Sequence, residues 1–200
     1  MHGHKYKAFL IFGPPGSGKG TVGSKLAVTT GFKHISTGEV FRGFPRTSTS
    51  GKIFYEYAGK GILVPDEVSV KICSRYLRGL VDTNKLDPEK DILLLDGIPR
   101  TAAQAHLIDS FVEVLHVLVL DIPNDQIIVD RIQHRAKIEG RKDDMDEAVI
   151  RTRIVEYKTK TAAVLDCYPS DKISHIPAEA GPDEVFYNTL GQVIRVRPNH

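Results

Sequence analysis

Gly13-Pro14-Pro15-Gly16-Ser17-Gly18-Lys19-Gly20-Thr21 decides how the rest of the chain is read. An apolar run, Ala8-Phe9-Leu10-Ile11-Phe12, precedes it, and a helix-compatible segment follows from Val22. A strand feeding a glycine-rich turn and then a helix start lets backbone N–H groups close around phosphate oxygens. The helix N-terminus adds partial positive charge, and Lys19 adds a full, mobile one. The stretch therefore predicts a site for a nucleoside polyphosphate. Against the pattern G-x-x-x-x-G-K-[ST], Gly13, Gly18 and Lys19 fit, but Gly20 follows the lysine and the hydroxyl arrives as Thr21. The hydroxyl that often ligates Mg²⁺ is thus missing, so magnesium is expected on phosphates, water and a carboxylate from elsewhere.

Outward from this loop, short apolar runs alternate with longer helical patterns. Residues 6–12, 34–36, 92–96, 114–121 and 172–176 read as strands, brief and almost free of charge, as strands buried on both faces are. Helices are predicted over 19–29, 65–80, 101–111, 124–138 and 147–168, with a last one from Pro182 towards Val193. The alternation predicts an α/β fold: a central five-stranded parallel sheet with helices on both faces, three layers in all. Such sheets take ligands at the carboxyl ends of their strands. Residues 38–64 and 136–145 fit the alternation poorly, which marks them as mobile or functional parts.

Composition narrows the class. Two hundred residues make one domain with room for small inserts. A net charge of +2 gives no general polyanion surface, so nucleic acid is not expected as a partner. The longest apolar stretch, residues 117–122, is broken by Asp121 and too short for a bilayer. No signal peptide pattern precedes the first strand, so the cytoplasm is the expected compartment. Cys73 and Cys167 lie far apart, which argues against both a disulfide framework and a structural zinc site.

A second constellation surrounds the strand 92–96. Asp96-Gly97-Ile98-Pro99-Arg100-Thr101 puts an aspartate at its carboxyl end, where it can bind magnesium-coordinated water, and an arginine that can fork onto a phosphate. His34-Ile35-Ser36-Thr37-Gly38-Glu39-Val40-Phe41-Arg42 reads as a strand end entering a short helix. Arg131 and Arg135 share a helix face, Arg141 follows Gly140 in a loop, and Arg151 and Arg153 point to nearly opposite sides of their helix. Gathering several arginines on one cleft is costly unless an anion balances them. Two matches are decoys. Gly43-Phe44-Pro45-Arg46-Thr47 copies a strand-end motif without the strand or the aspartate. Asn84-Lys85-Leu86-Asp87 matches a guanine-reading motif but follows a helix.

Together these residues resemble the adenylate kinases, within the nucleoside monophosphate kinase family. The likeness runs nearly end to end. It takes in the loop 13–21, Ser36-Thr37-Gly38-Glu39 with Arg42, Leu63-Val64-Pro65-Asp66-Glu67, and Leu95-Asp96-Gly97-Ile98-Pro99-Arg100-Thr101 with Gln104. It continues through Arg131 and Arg135, Gly140-Arg141-Lys142-Asp143-Asp144, Arg153-Ile154-Val155-Glu156-Tyr157 and Asp183-Glu184-Val185-Phe186. The resemblance implies a P-loop kinase, a monomer, that moves a phosphoryl group from Mg-ATP to AMP and forms two ADP. It implies ATP phosphates on Gly16, Ser17, Gly18, Lys19, Gly20 and Thr21, with the ATP base against Arg131 and the backbone near Ala178 to Ala180. AMP is implied against Thr37, Arg42, Ile62, Leu63, Val64, Gly97, Ile98, Pro99, Arg100 and Gln104. Lys19, Arg100, Arg135, Arg141 and Arg153 are the implied catalytic cations, the last two also reaching AMP, and Asp96 holds Mg²⁺ through water.

Inserts at about 37–66 over AMP and about 133–142 over ATP would exclude water, the second resembling the short, zinc-free lid. One extra residue precedes the family's arginine, so Arg151 stays an alternative to Arg153. The Gln104 amide can pair with adenine, and Thr37 fits an adenylate pattern. The alternatives are a kinase for CMP or UMP, or a nucleotide-binding module without activity.

Overall fold

Five strands lie side by side, all parallel, in the order β2-β3-β1-β4-β5. They are β1 (Tyr6–Phe12), β2 (Lys33–Ser36), β3 (Leu93–Asp96), β4 (Val112–Asp121) and β5 (Ile173–Pro177). The computed structural model describes residues 5–140 and 144–197. Alternation along the central strand divides the core. Phe9 and Ile11 join Val22, Leu26, Ile128, Ile132, Val185 and Val193 on one face. Ala8, Leu10 and Phe12 join Val70, Cys73, Leu77, Ala105 and Ile108 on the other. A strand buried on both faces is apolar along nearly all its length, which explains the nearly unbroken apolar runs in the sequence.

The helices follow from those two faces. α1 (Lys19–Thr30), α6 (Asp125–Glu139), α7 (Glu147–Glu156) and α8 (Pro182–Val196) feed the first cluster; α4 (Asp66–Asp82) and α5 (Ala102–Ile108) feed the second. Their starts are chemically marked. The side chains of Thr101, Asn124 and Asp146 accept backbone N–H groups at the N-termini of α5, α6 and α7. Pro182 opens α8 at a position where a missing N–H is harmless. Among the described residues no helix is long and apolar enough to cross a membrane.

Two departures from the sequence pattern stand out. Residues 38–64, which fit no alternation, fold as the short helix expected after β2, α2 (Thr37–Arg42), and one not expected, α3 (Thr49–Ala58), around a small core of their own, Phe41, Phe54 and Val64. The Phe41 and Phe54 rings stack with centroids 5.3 Å apart. The helix expected over 147–168 is α only as far as Glu156. A wider turn follows at Tyr157–Thr161 and a tighter one at Ala162–Cys167. Tertiary contacts override local propensity there: the Thr161 hydroxyl donates to the Arg100 carbonyl at 3.1 Å, and Val164 is buried in the second cluster.

Candidate active site

The carboxyl ends of β1 and β3 meet side by side, with Ile11 opposite Asp96. From β1 the chain enters the loop 13–18, whose glycines serve its geometry. Gly13 has φ 148°, and a Cβ there would lie 2.5 Å from Ser17 Oγ and 2.7 Å from the Leu120 carbonyl. Only a bare Cα fits between the loop and β4. The turn aims Lys19 back over the loop, where Nζ donates to the carbonyls of Gly13 at 2.7 Å and Pro14 at 2.9 Å. From β3 the chain enters Gly97, at φ 86°, where a Cβ would stand 2.7 Å from Thr37 Oγ1 and 2.9 Å from Arg100 Nη2. That absence of side chain lets Thr37 donate to the Asp96 carbonyl at 3.2 Å and Arg100 Nε donate to the Gly97 carbonyl at 2.9 Å.

These pieces line one continuous cleft of about 620 Å³. Its walls carry Gly16, Ser17, Gly18, Lys19, Gly20 and Thr21 from the loop, and Thr37, Arg42, Ile62, Leu63 and Val64 from the α2–α3 segment. Asp96, Gly97, Ile98, Pro99, Arg100 and Gln104 come from the end of β3 and from α5. Arg131 and Arg135 come from α6, Arg153 from α7, and Ala180 from the approach to α8. The structure thus separates the two arginines left open by the sequence. Arg153 faces the cleft, whereas Arg151 turns outward and pairs with Glu147 one helical turn away. Arg46 is exposed and stacks on the Tyr55 ring at 3.9 Å, apart from the cleft. Asn84 holds φ 55° in the turn that ends α4, a helix-capping role.

One expected wall residue is displaced. Ala178 is fully buried and does not line the cleft; its carbonyl accepts Arg131 Nη1 at 2.7 Å. Arg131 Nη2 takes the carbonyls of Glu179 at 2.8 Å and Ala180 at 2.9 Å. The edge of this guanidinium fixes the 178–180 backbone and leaves its flat face for a ring. Residues 133–139 are the last turns of α6 and Gly140 caps it at φ 63°, while Arg141 and Lys142 lie outside the described residues.

Sequence reasoning gave Asp144 no role of its own. It is completely buried and pairs with both Arg135 and Arg153. Nine residues separate it from each arginine, a spacing that no helical or strand period would flag. Arg135 Nε remains buried without a hydrogen-bond partner among the described residues. Asp66, behind Gln104, was likewise seen only as part of a motif.

The electrostatics describe a site short of negative charge. Burial pushes the Lys19 ammonium down to about 8, with Arg100, Arg153 and Arg135 adding to the depression and Asp96 opposing it. Burial and then the Arg153 charge lower Arg100 to about 10. Burial alone would raise the Asp96 carboxyl, but nearby positive charge outweighs it and holds the group below the carboxylate range. His34 Nε2 stands 3.7 Å from Asp96 Oδ2, beyond hydrogen-bond length, so we assign the larger share to Lys19 and Arg100. Burial likewise opposes ionisation of Asp144, and Arg153 and Arg135 overcome it. Cations that disfavour one another in a buried cleft are at rest only when an anion joins them.

Comparison with known proteins agrees with this chemistry. A family model described as "Adenylate kinase" matches residues 11–173. The adenylate kinase of Flavobacterium psychrophilum is 37% identical over 191 residues, covering 92% of this chain and 96% of that protein. That of Porphyromonas gingivalis is also 37% identical, over 92% of this chain and 94% of the relative. The adenylate kinase of Thermus thermophilus is 33% identical over 187 residues, 90% of this chain and 93% of that protein.

Proposed function

The chain belongs to the adenylate kinase family, and from that premise we propose how its residues carry a phosphoryl group between ATP and AMP to give two ADP. The observation that carries the reading is the single cleft in which Lys19, Arg42, Arg100, Arg135 and Arg153 converge from five separate stretches of chain. Phosphoryl transfer asks little covalent chemistry of a protein. It asks for alignment of two nucleotides and for charge opposite the moving group.

On the donor side, Lys19 leaves the Gly13 and Pro14 carbonyls for the terminal phosphates of ATP. The loop N–H groups and the start of α1 hold the remaining oxygens. The adenine lies on the face of Arg131, beside Ala180. On the acceptor side, Arg42 and Arg100 hold the AMP phosphate, and Gln104 and Thr37 face its base. Arg135 and Arg153 bridge the two, and we propose the same role for Arg141. The AMP phosphate oxygen is itself the nucleophile, so no general base is required. The α2–α3 segment and the short lid exclude water, which would otherwise compete for the phosphoryl group.

Magnesium, used generally with ATP in this family, fits the residues present. Asp96 is buried, kept ionised by its cationic neighbours, and lines the cleft. Among the described residues no three His, Cys, Asp or Glu side chains cluster as a cage, so phosphates and water would complete the shell. When bound, the ion draws charge from the phosphate oxygens. We further propose a monomer acting in the cytoplasm, with adenine nucleotides as its partners and neither nucleic acid nor membrane.

A coupled assay with ATP and each of AMP, CMP, UMP and GMP tests the assignment. AMP is expected to give the highest kcat/KM; faster turnover of CMP or UMP would transfer the chain to another monophosphate specificity.

A further inference from the structure

Gln104 is almost fully buried and lines the cleft, and its amide is held from two sides. Asp66 Oδ1, at the start of α4 and behind the cleft wall, accepts Gln104 Nε2 at 2.8 Å. The same oxygen accepts Thr101 Oγ1 at 2.9 Å. Gln104 Oε1 accepts the Arg100 backbone N–H at 2.8 Å. A backbone N–H can only donate and a carboxylate oxygen accepts, so these partners dictate which end of the amide is oxygen. Turning the amide over would set its oxygen against a carboxylate and its NH₂ against an N–H.

The amide still has one lone pair and one N–H unspent. These form an acceptor and a donor in fixed order. A 6-aminopurine offers a donor at N6 beside an acceptor at N1. A 6-oxopurine offers the reverse, an acceptor at O6 beside a donor at N1. We infer that Asp66 is a positioning residue for Gln104: it locks the amide in the sense that admits 6-aminopurine monophosphates and refuses 6-oxopurine ones. The inference rests on the placement of the AMP base at Gln104 given above. Loss of Asp66 leaves only the Arg100 N–H to orient the amide, so the reversed form becomes accessible at the expense of one hydrogen bond.

The test compares kcat/KM for AMP and for IMP at saturating ATP. Asp66→Ala is expected to shrink the preference for AMP about tenfold, with the KM for ATP unchanged and the change carried by KM rather than kcat. Asp66→Asn can turn its own amide to offer either an oxygen or an NH₂, so its preference for AMP should fall between those of the wild type and Asp66→Ala. Should Asp66→Ala fail to fold, Asp66→Ser replaces it; its hydroxyl is too short to reach the amide. A wild-type preference in Asp66→Ala or Asp66→Ser would overturn the inference, as would equal losses for AMP and IMP, which indicate a structural role only. Gln104→Ala separates the two layers. A raised KM for AMP there, with Asp66→Ala unaltered, removes the role of Asp66 alone. No change for AMP in Gln104→Ala removes the base placement and the inference with it.

Discussion

The cleft has two walls, and they hold their cations by different means. On the sheet wall, Lys19 rests on the carbonyls of Gly13 and Pro14, uncharged groups six and five residues before it. On the helical wall, Arg135 and Arg153 share the carboxylate of Asp144, a full charge buried between them. Carbonyl dipoles release a lysine to a phosphate at little electrostatic expense. A buried carboxylate does not release two guanidinium groups so readily, because the partner left behind keeps its charge. On the proposed reading the sheet wall is therefore built ahead of its ligand. The helical wall is held together by a buried carboxylate, which on the proposed reading stands in for the phosphoryl group and must be shared or displaced by the nucleotide.

The largest effect that could break this contrast lies on the sheet wall. Lys19→Met should lower kcat about a thousandfold while the circular dichroism spectrum stays native, because one aligned charge on the moving group is lost. Near-normal turnover would deprive Lys19 of its role. On the helical wall, Asp144→Ala should reduce stability in urea by about 3 kcal/mol, since two guanidinium groups lose their buried partner. The sign of its pH dependence follows from the depressed carboxyl. The contribution is complete above the unfolded value of about 4 and is lost as pH falls through the lower folded value. Equal acid unfolding of wild type and Asp144→Ala would place the two walls on the same footing.

A smaller effect sharpens the contrast through protons. Burial and the neighbouring guanidinium groups push the Lys19 ammonium down to about 8. Because that lies below its unfolded value, the group destabilises the fold at neutral pH, and this penalty is relieved as pH rises from about 8 to about 10.4. On the proposed reading ATP, by adding negative charge beside Lys19, restores the ammonium. Calorimetric titration with ATP at pH 8.5, in two buffers of different ionisation heat, should therefore report proton uptake; none would mean the lysine was already charged. The smallest effect concerns Arg151, whose exposed pair with Glu147 is screened by water. Arg151→Ala should change stability by no more than about 0.5 kcal/mol and leave kcat unaltered, unlike the same change at Arg153.

The same contrast governs what could be read from the sequence. The sheet wall is written locally. Apolar runs, positive-φ glycines and a lysine within a few residues announce their own geometry, so all five strands and the loop could be placed in advance. Gly97 and Arg100 were legible for the same reason. The helical wall is assembled from distance. Nothing near Asp144 tells that it will be enclosed by arginines from two helices, and nothing at Asp66 points to an amide in α5. α3 was hidden because Gly51 lies in its first turn, where a helix former would be expected; a Cβ there would come within 2.1 Å of the Pro45 carbonyl. Glycine is needed for that approach, although it weakens the helical signal. The change of pitch after Glu156 follows from ties to Arg100 and to the second core, which only the assembled fold supplies.

The central claim is that both walls serve one pair of facing nucleotides. Titration with a dinucleoside pentaphosphate, two adenosines joined by five phosphates, tests it most directly when followed by thermal unfolding. One equivalent should raise Tm strongly and abolish binding of both ATP and AMP, because a single molecule then occupies both sites. A ligand that displaced only ATP, or that left Tm where it was, would contradict the claim.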